Sequence, residues 1–168
     1  SVSIAGGTLA IITNQSIQNL TGASGTFITI NSGAQFNFGT GSSTTVASTI
    51  SGGGSIRKTG AGTVTLSGSN SYSGGTTLNQ GTLSINADGA LGSSSAAISV
   101  TGSSTLKLST ASVSMNRPIS IADGSTFTID TNGVNLSEAG VISSGTLNTG
   151  ALTKITGGTL TLTGASTY

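Results

Sequence analysis

Three features of the sequence predict an all-β chain wound into a parallel β-helix of about seven coils. Short triplets alternate apolar with polar residues, the period-two signature of a strand with one buried face. They return at intervals typical of solenoid repeats. Glycine-rich corners separate them. The 168 residues are enough to enclose a continuous core, so residues 1–168 are expected to form a single solenoid segment, one piece of a longer rod.

Taken in order, the triplets are Leu9-Ala10-Ile11, Phe36-Asn37-Phe38, Val64-Thr65-Leu66, Leu83-Ser84-Ile85, Leu106-Lys107-Leu108, Phe127-Thr128-Ile129 and Leu160-Thr161-Leu162. Their steps of 27, 28, 19, 23, 21 and 33 residues average about 25. Ile28-Thr29-Ile30, Ile98-Ser99-Val100 and Ile119-Ser120-Ile121 read as first strands that precede three of them. Ile30 to Phe36 and Ile121 to Phe127 share one strand–corner–strand pattern, with Gly33 and Gly124 supplying the permissive backbone of a tight bend. An antiparallel sandwich is the competing fold. It expects repeated hairpin dipeptides, and Asn132-Gly133 is the one Asn-Gly present. Helix finds little place: Val134 to Val141 reads as at most a turn, and Pro118 fits a strand entry. Seven coils would make a rod about 34 Å long.

Composition narrows the function. Only 5% of residues are charged and the net charge is +1, so no basic stripe is available to neutralise phosphates. Cysteine and histidine are absent, which removes disulfides, thiolate chemistry, imidazole bases and the commonest transition-metal ligand. Accordingly, neither a cofactor nor a metal is expected. The longest apolar run, Leu9 to Ile12, is far shorter than a membrane span, and the start carries no signal-peptide pattern.

The sequence repeats itself at one long interval: Lys58 to Tyr72 matches Lys154 to Tyr168 at a constant offset of 96. Around the first copy, Gly52, Gly54, Ile56, Lys58, Gly60, Gly62, Thr63, Leu66, Gly68, Asn70, Tyr72, Gly74, Thr76, Gly81, Thr82 and Leu83 follow one spacing. This pattern resembles the autotransporter-associated β-strand repeat, or passenger-associated transport repeat, of bacterial secreted proteins. One full copy falls on 52–83 and a partial one on 154–168. The resemblance implies a right-handed β-helical passenger region, exported through an outer membrane and placed at the cell surface or released. It associates the repeat with secretion rather than catalysis. Lys58, Gly60, Gly62, Asn70, Tyr72 and Gly81 are its defining residues here. The second copy departs at Thr156, where the first glycine of Gly-x-Gly is expected, and at Ser166, which replaces Asn.

Candidate sites are few. Parallel β-helices include polysaccharide lyases and hydrolases, whose chemistry needs paired carboxylates across a cleft. Asp88, Asp123, Asp130 and Glu138 are the available carboxylates; the first two precede glycine and read as turn caps, and Glu138 reads as a solvated loop residue. Arg57, Lys58, Lys107, Arg117 and Lys154 look scattered. The Asn-x-Ser/Thr sequons at Asn14, Asn19 and Asn135 matter only in a glycosylating host. More regular is the outward residue before each triplet: Thr8, Gln35, Thr63, Thr82, Thr105, Thr126 and Thr159. The six threonines would form a column that stabilises a sheet face and could bind ice or a glycan.

The sequence therefore reads as a non-catalytic extracellular rod, structural or adhesive, at a bacterial surface. A carbohydrate-active enzyme and an ice- or glycan-binding module are the alternatives. The expected partners are neighbouring β-helical segments, met end to end, and a surface glycan. End-to-end contact is suggested by Ser1 to Ile11, which resembles Thr77 to Ile85 with Gly7-Thr8-Leu9 on Gly81-Thr82-Leu83. Set after Tyr168, that opening would place Gly7 seven residues on, where Gly81 follows Tyr72 by nine; accidental boundaries are the alternative, since Gly-Thr-Leu recurs in repeats of this kind. Nucleic acid is not an expected partner.

Overall fold

The computed structural model describes residues 1–39 and 41–168. The chain winds through three faces per coil. The first coil contains β1 (Val2–Ile4), β2 (Thr8–Ile11) and β3 (Gln15–Ile17); the second, β4 (Leu20–Gly22), β5 (Phe27–Ile30) and β6 (Gln35–Gly39). The third contains β7 (Thr44–Val46), β8 (Thr49–Ser51) and β9 (Ser55–Thr59); the fourth, β10 (Thr63–Leu66) and β11 (Thr76–Leu78). The fifth has β12 (Gly81–Ile85), a 3-10 helix at Asp88–Leu91 and β13 (Ile98–Val100). The sixth has β14 (Ser104–Leu108), β15 (Val113–Met115) and β16 (Ile119–Ile121); the seventh, β17 (Thr126–Asp130), β18 (Leu136–Glu138) and β19 (Ile142–Ser144). β20 (Ala151–Ile155) and β21 (Leu160–Leu162) open an eighth.

Strands stack only on strands of adjacent coils, always in parallel. The first face is the eight-stranded sheet β1-β4-β7-β10-β12-β14-β17-β20, and the third is the seven-stranded sheet β3-β6-β9-β11-β13-β16-β19. The second face is interrupted: β2-β5-β8 stack below and β15-β18-β21 above, with coils four and five carrying no strand between them. Register partners give the coil length, 18 residues from Val2 to Leu20 and 25 from Ile129 to Lys154. The expectation of an all-β parallel solenoid with about seven turns is thus met.

The single column of seven triplets is not. Only the Val64, Leu83, Leu106 and Phe127 triplets lie on the first face; those of Leu9 and Leu160 lie on the second, and that of Phe36 on the third. Period-two alternation marks an inward residue on every face alike, so it cannot say which face a strand occupies. The reading of Val134 to Val141 as a turn also fails, because β18 crosses it. Gly33 and Gly124 do take the left-handed conformation expected of them, with φ of 80° and 72°.

The interior is a set of apolar ladders. Val64, Leu83, Leu106 and Ile129 form one column and Leu66, Ile85 and Leu108 the next, all fully buried. Phe36 and Phe38 fill the second coil with ring centroids 4.6 Å apart at 59°. Each inward side chain rests on the one below, so a truncation opens a void that neighbours on a fixed 4.8 Å backbone spacing cannot close. Leu106→Ala is expected to lower the unfolding free energy by about 2–5 kcal/mol. Thr105→Ala, one residue along and facing outward, should lower it by less than about 1 kcal/mol. Urea denaturation of the two variants checks the contrast.

Candidate functional site

The most elaborate chemistry lies where the second face loses its strand, between β9 and β13. β9 carries Lys58 inward, with 1% of its surface exposed. A short corner then turns into β10, and Gly60 enters it with φ of 74°. The Lys58 Nζ donates to the carbonyls of Thr59 at 2.9 Å and Gly60 at 2.6 Å, and to Gln80 of the coil above at 3.1 Å. It thereby ties two coils at one corner. Gly81 closes the joint: a Cβ there would run into the Gly60 carbonyl and come within 2.8 Å of Nζ. Burial pushes the Lys58 pKa down to about 8, against carbonyl acceptors that favour the charged form.

Asn70 and Tyr72 replace the missing strand. The Asn70 Oδ1 accepts from the Ile50 amide below at 2.8 Å, and its Nδ2 donates to the Ala90 carbonyl above at 2.6 Å. One amide side chain therefore bonds in both directions, as a strand residue would. Tyr72 is wholly buried and its hydroxyl lies 2.7 Å from Thr76 Oγ1. Burial raises its phenol well above the ordinary range. Gly62, like Gly81, is required for closeness, since a Cβ would meet the Ser42 backbone.

Arg117 lies over this break, fully buried rather than scattered on the surface. Its guanidinium reaches Asp88 Oδ1 at 2.5 Å and the carbonyls of Asp88, Leu91, Gly92, Ser93 and Ala96, with Ser93 closest at 2.6 Å. It staples the non-strand segment of coil five to coil six. Glu138 corrects the loop reading as well: it ends β18 and is fully buried, its Oε1 accepting from the amides of Arg117 at 3.0 Å and Gly140 at 2.6 Å. Burial raises its pKa. Glu138 is turned inward by the alternation that begins at Leu136, with Met115 and Leu162 as its neighbours in the adjacent coils, whereas no sequence signal marks Arg117, whose burial depends on the strandless segment of the coil beneath it.

The remaining carboxylates are also engaged. Asp123 accepts from the amides of Leu147 and Thr149 in the next coil, at 3.0 and 3.2 Å, and the Leu147 amide leads in holding its pKa low. Asp130 accepts from Thr156 Oγ1 at 2.7 Å and the Asn132 amide at 3.0 Å, and pairs with Lys107 at 3.4 Å. Burial raises its pKa, but those partners outweigh it and the net shift is downward.

The threonine column exists with different members. Thr63, Thr82 and Thr105 stack as expected, and the column continues through Thr128 and Thr153. Thr126 pairs instead with Ala151, because β17 is set two residues along relative to the triplet alignment. Thr8 belongs to β2 on the second face, and Thr159 precedes β21 there.

The second copy of the repeat is turned by one face. Copy one runs from the third face (β9) to the first (β10); copy two runs from the first (β20) to the second (β21). Lys154 Nζ donates to the Thr156 carbonyl at 2.5 Å, as Lys58 does to Gly60. Thr156 keeps the left-handed conformation, φ 63° against 74° at Gly60, at a cost of roughly 1–2 kcal/mol for a residue with a Cβ. Its hydroxyl offsets this by bonding Asp130 and accepting from the Asn132 amide at 2.7 Å. Ser166 Oγ accepts from the Ile142 amide at 3.2 Å, the downward half of what Asn70 does.

The family model for the passenger-associated transport repeat matches residues 56–85 and 152–168. The chain carries that repeat. No curated protein and no solved structure matches the chain.

The Lys58 corner titrates in a defined direction. Its ordinary pKa of 10.5 falls to about 8 on folding, so between these values the unfolded chain holds the extra proton and stability rises with pH. Tyr72 acts oppositely above its ordinary value of 10.0, which closes the window there. Wild type is expected to gain stability from pH 8 to 10 and Lys58→Met to lack this gain, with the variant about 1–3 kcal/mol less stable at pH 7 from the carbonyls left unbonded. Urea titrations across the window decide it; an equal slope in the variant would sink the assignment.

Proposed function

We propose that this chain is a non-catalytic, rod-like segment of a bacterial autotransporter passenger, carried outside the cell as a stiff structural or adhesive spacer. The observation that carries this reading is what the repeat residues do. Lys58, Asn70 and Gly81 hold one coil on the next, Tyr72 fills the strandless face with its hydroxyl on Thr76 of the same coil, and the carboxylates a polysaccharide-cleaving site would need are bonded to backbone amides, hydroxyls or cations of the fold. Coils bond only to their neighbours, so each can fold on its predecessor as a chain emerges from a pore. Without cysteine, that folding needs no oxidant. Neighbouring β-helical segments and a surface glycan are the partners this reading implies.

The test is to place the chain between a signal peptide and an outer-membrane translocator and measure its accessibility to external protease. Efficient display is expected, with a several-fold loss for Tyr72→Ala; retention of the wild-type segment in the periplasm, or turnover of a polysaccharide by the purified chain, overturns the reading.

One observation favours a second function on the same rod. The five-threonine column on the first face repeats one hydroxyl per coil about every 4.8 Å, a match for an ordered ligand surface such as ice or a packed glycan. Ice recrystallisation inhibited by the wild type and not by Thr105→Tyr supports it; no inhibition by the wild type removes the ice reading.

A further inference from the structure

Glu138 is the one glutamate of the chain, and its side chain is fully buried at the end of β18. Met115 of β15 lies beneath it and Leu162 of β21 above, both apolar. Its two oxygens meet different surroundings. Oε1 accepts from the amides of Arg117, in coil six, and Gly140, in its own coil. Oε2 is buried and has no hydrogen-bond partner among the described residues.

A carboxylate in the interior needs a counter-ion or a full set of donors, because an uncompensated charge there costs far more than an uncompensated hydroxyl. Arg117 is the cation that faces it, and it has no donor to spare. A guanidinium offers five N–H groups, and those of Arg117 are all spent on coil five. Nε donates to Asp88 Oδ1, Nη1 to the carbonyls of Leu91, Ser93 and Ala96, and Nη2 to those of Asp88 and Gly92. Asp88 adds a like charge behind that pair, and β15, β19 and β21 bring no ionisable side chain. The Tyr72 phenol, which the same Arg117 and Asp88 charges reach, is neutral at any pH below its ordinary value of 10.0.

We propose that Glu138 is held in the folded rod as the neutral acid, so that folding of coil seven takes up a proton and the joint of coils five to seven responds to pH. The proton belongs on Oε2, the oxygen that no donor reaches, while Oε1 remains the acceptor for both amides. Burial raises the pKa and outweighs the two amides and the Arg117 charge, which act the other way.

Loss of that proton puts a charge into the apolar ladder between Met115 and Leu162. The cost falls on one corner. Gly140 lies against the Arg117 backbone, too close for a Cβ, so the Glu138 carboxyl sits at the contact that places coil seven on coil six. Arg117, whose amide it accepts from, is in turn the staple of coil five.

With the folded pKa above the ordinary 4.5, stability from this group is full below 4.5 and is lost as pH rises through the folded value. The window is otherwise quiet. Histidine is absent, Asp123 and Asp130 are held below their ordinary 3.8, and Lys58 acts only from about 8 upward.

Because there is one glutamate, a chain labelled with carbon-13 at the glutamate carboxyl gives a single carboxyl resonance, which can be followed by NMR from below pH 4.5 upward in the folded state. Its midpoint is expected above 4.5. Urea titrations of wild type and Glu138→Gln, which keeps Oε1 and cannot ionise, supply the second reading. Between 4.5 and the NMR midpoint, the unfolding constant of wild type relative to that of the variant should climb by a factor approaching ~10 per pH unit. A purely structural role would shift the two curves apart by the same factor at every pH. Both readings use the purified chain, so they are independent of whether the rod is displayed on a cell. A midpoint at or below 4.5 overturns the proposal, whether or not the variant folds, and so do parallel stability curves across the window.

Discussion

Every coil in this molecule must satisfy its backbone polar groups on the coils next to it, and the rest of the structure follows from that constraint. Where three strands fill a coil, the parallel ladders do so automatically. Where a strand is lost, the same amides and carbonyls would be buried without partners, at roughly 1–3 kcal/mol each. The second face loses its strand in coils four and five, and that is where Asn70, Tyr72 and Arg117 collect. Asn70 is effective because an amide side chain has an acceptor and a donor, the two groups a strand residue would have offered to its neighbours.

The buried cations follow the same logic. Removing Lys58 and Arg117 from water is costly, and the interior repays it only when their donors are matched. Lys58 meets three carbonyls, from its own corner and the corner above, and Arg117 meets five carbonyls and one carboxylate of the strandless segment in the coil beneath. A leucine in either place would fill space but leave the carbonyls unbonded. The cation therefore fixes which coil corner sits on which, a specification that stacked valines and leucines cannot supply because they accept sliding by two residues. The slide of β17 over β14, which puts Phe127 on Ser104 and Thr128 on Thr105, is such a slip, with inward parity preserved.

That distinction explains what could be read from the sequence. Alternation in Val64-Thr65-Leu66 and its relatives identifies strands and their buried side, and recurrence identifies a solenoid. The spacing of Lys58, Gly60, Asn70, Tyr72 and Gly81 identifies a repeat that the family model recovers independently. The face each strand occupies was not legible, because it depends on summed corner lengths, and coils here range from 18 to 25 residues between Val2 to Leu20 and Ile129 to Lys154. The threonine column was consequently traced through Thr126 rather than Thr128. Arg117 reads as a surface charge because what buries it is the strandless segment of the coil beneath, and Glu138 because β18, which turns it inward, carries a carboxylate where the other triplets end in an apolar residue.

The turn of the second repeat by one face shows at what level the repeat acts. From Lys58 on the third face to Lys154 on the first, 96 residues pass through four coils and one face more. A motif that required a particular face could not survive that rotation. What survives is the corner: a strand whose last residue but one is lysine, a left-handed residue two places after that lysine, and carbonyls folded back onto the ammonium. The substituted residue then answers to local surroundings. Thr156 is strained where Gly60 is not, yet the Asp130 carboxylate in the coil beneath is placed to receive its hydroxyl, and Asp130 is itself set by the two-residue slide of β17. The repeat is thus a self-contained corner that a solenoid can insert at any angular position, provided that the coil beneath presents an acceptor or leaves the space a glycine needs.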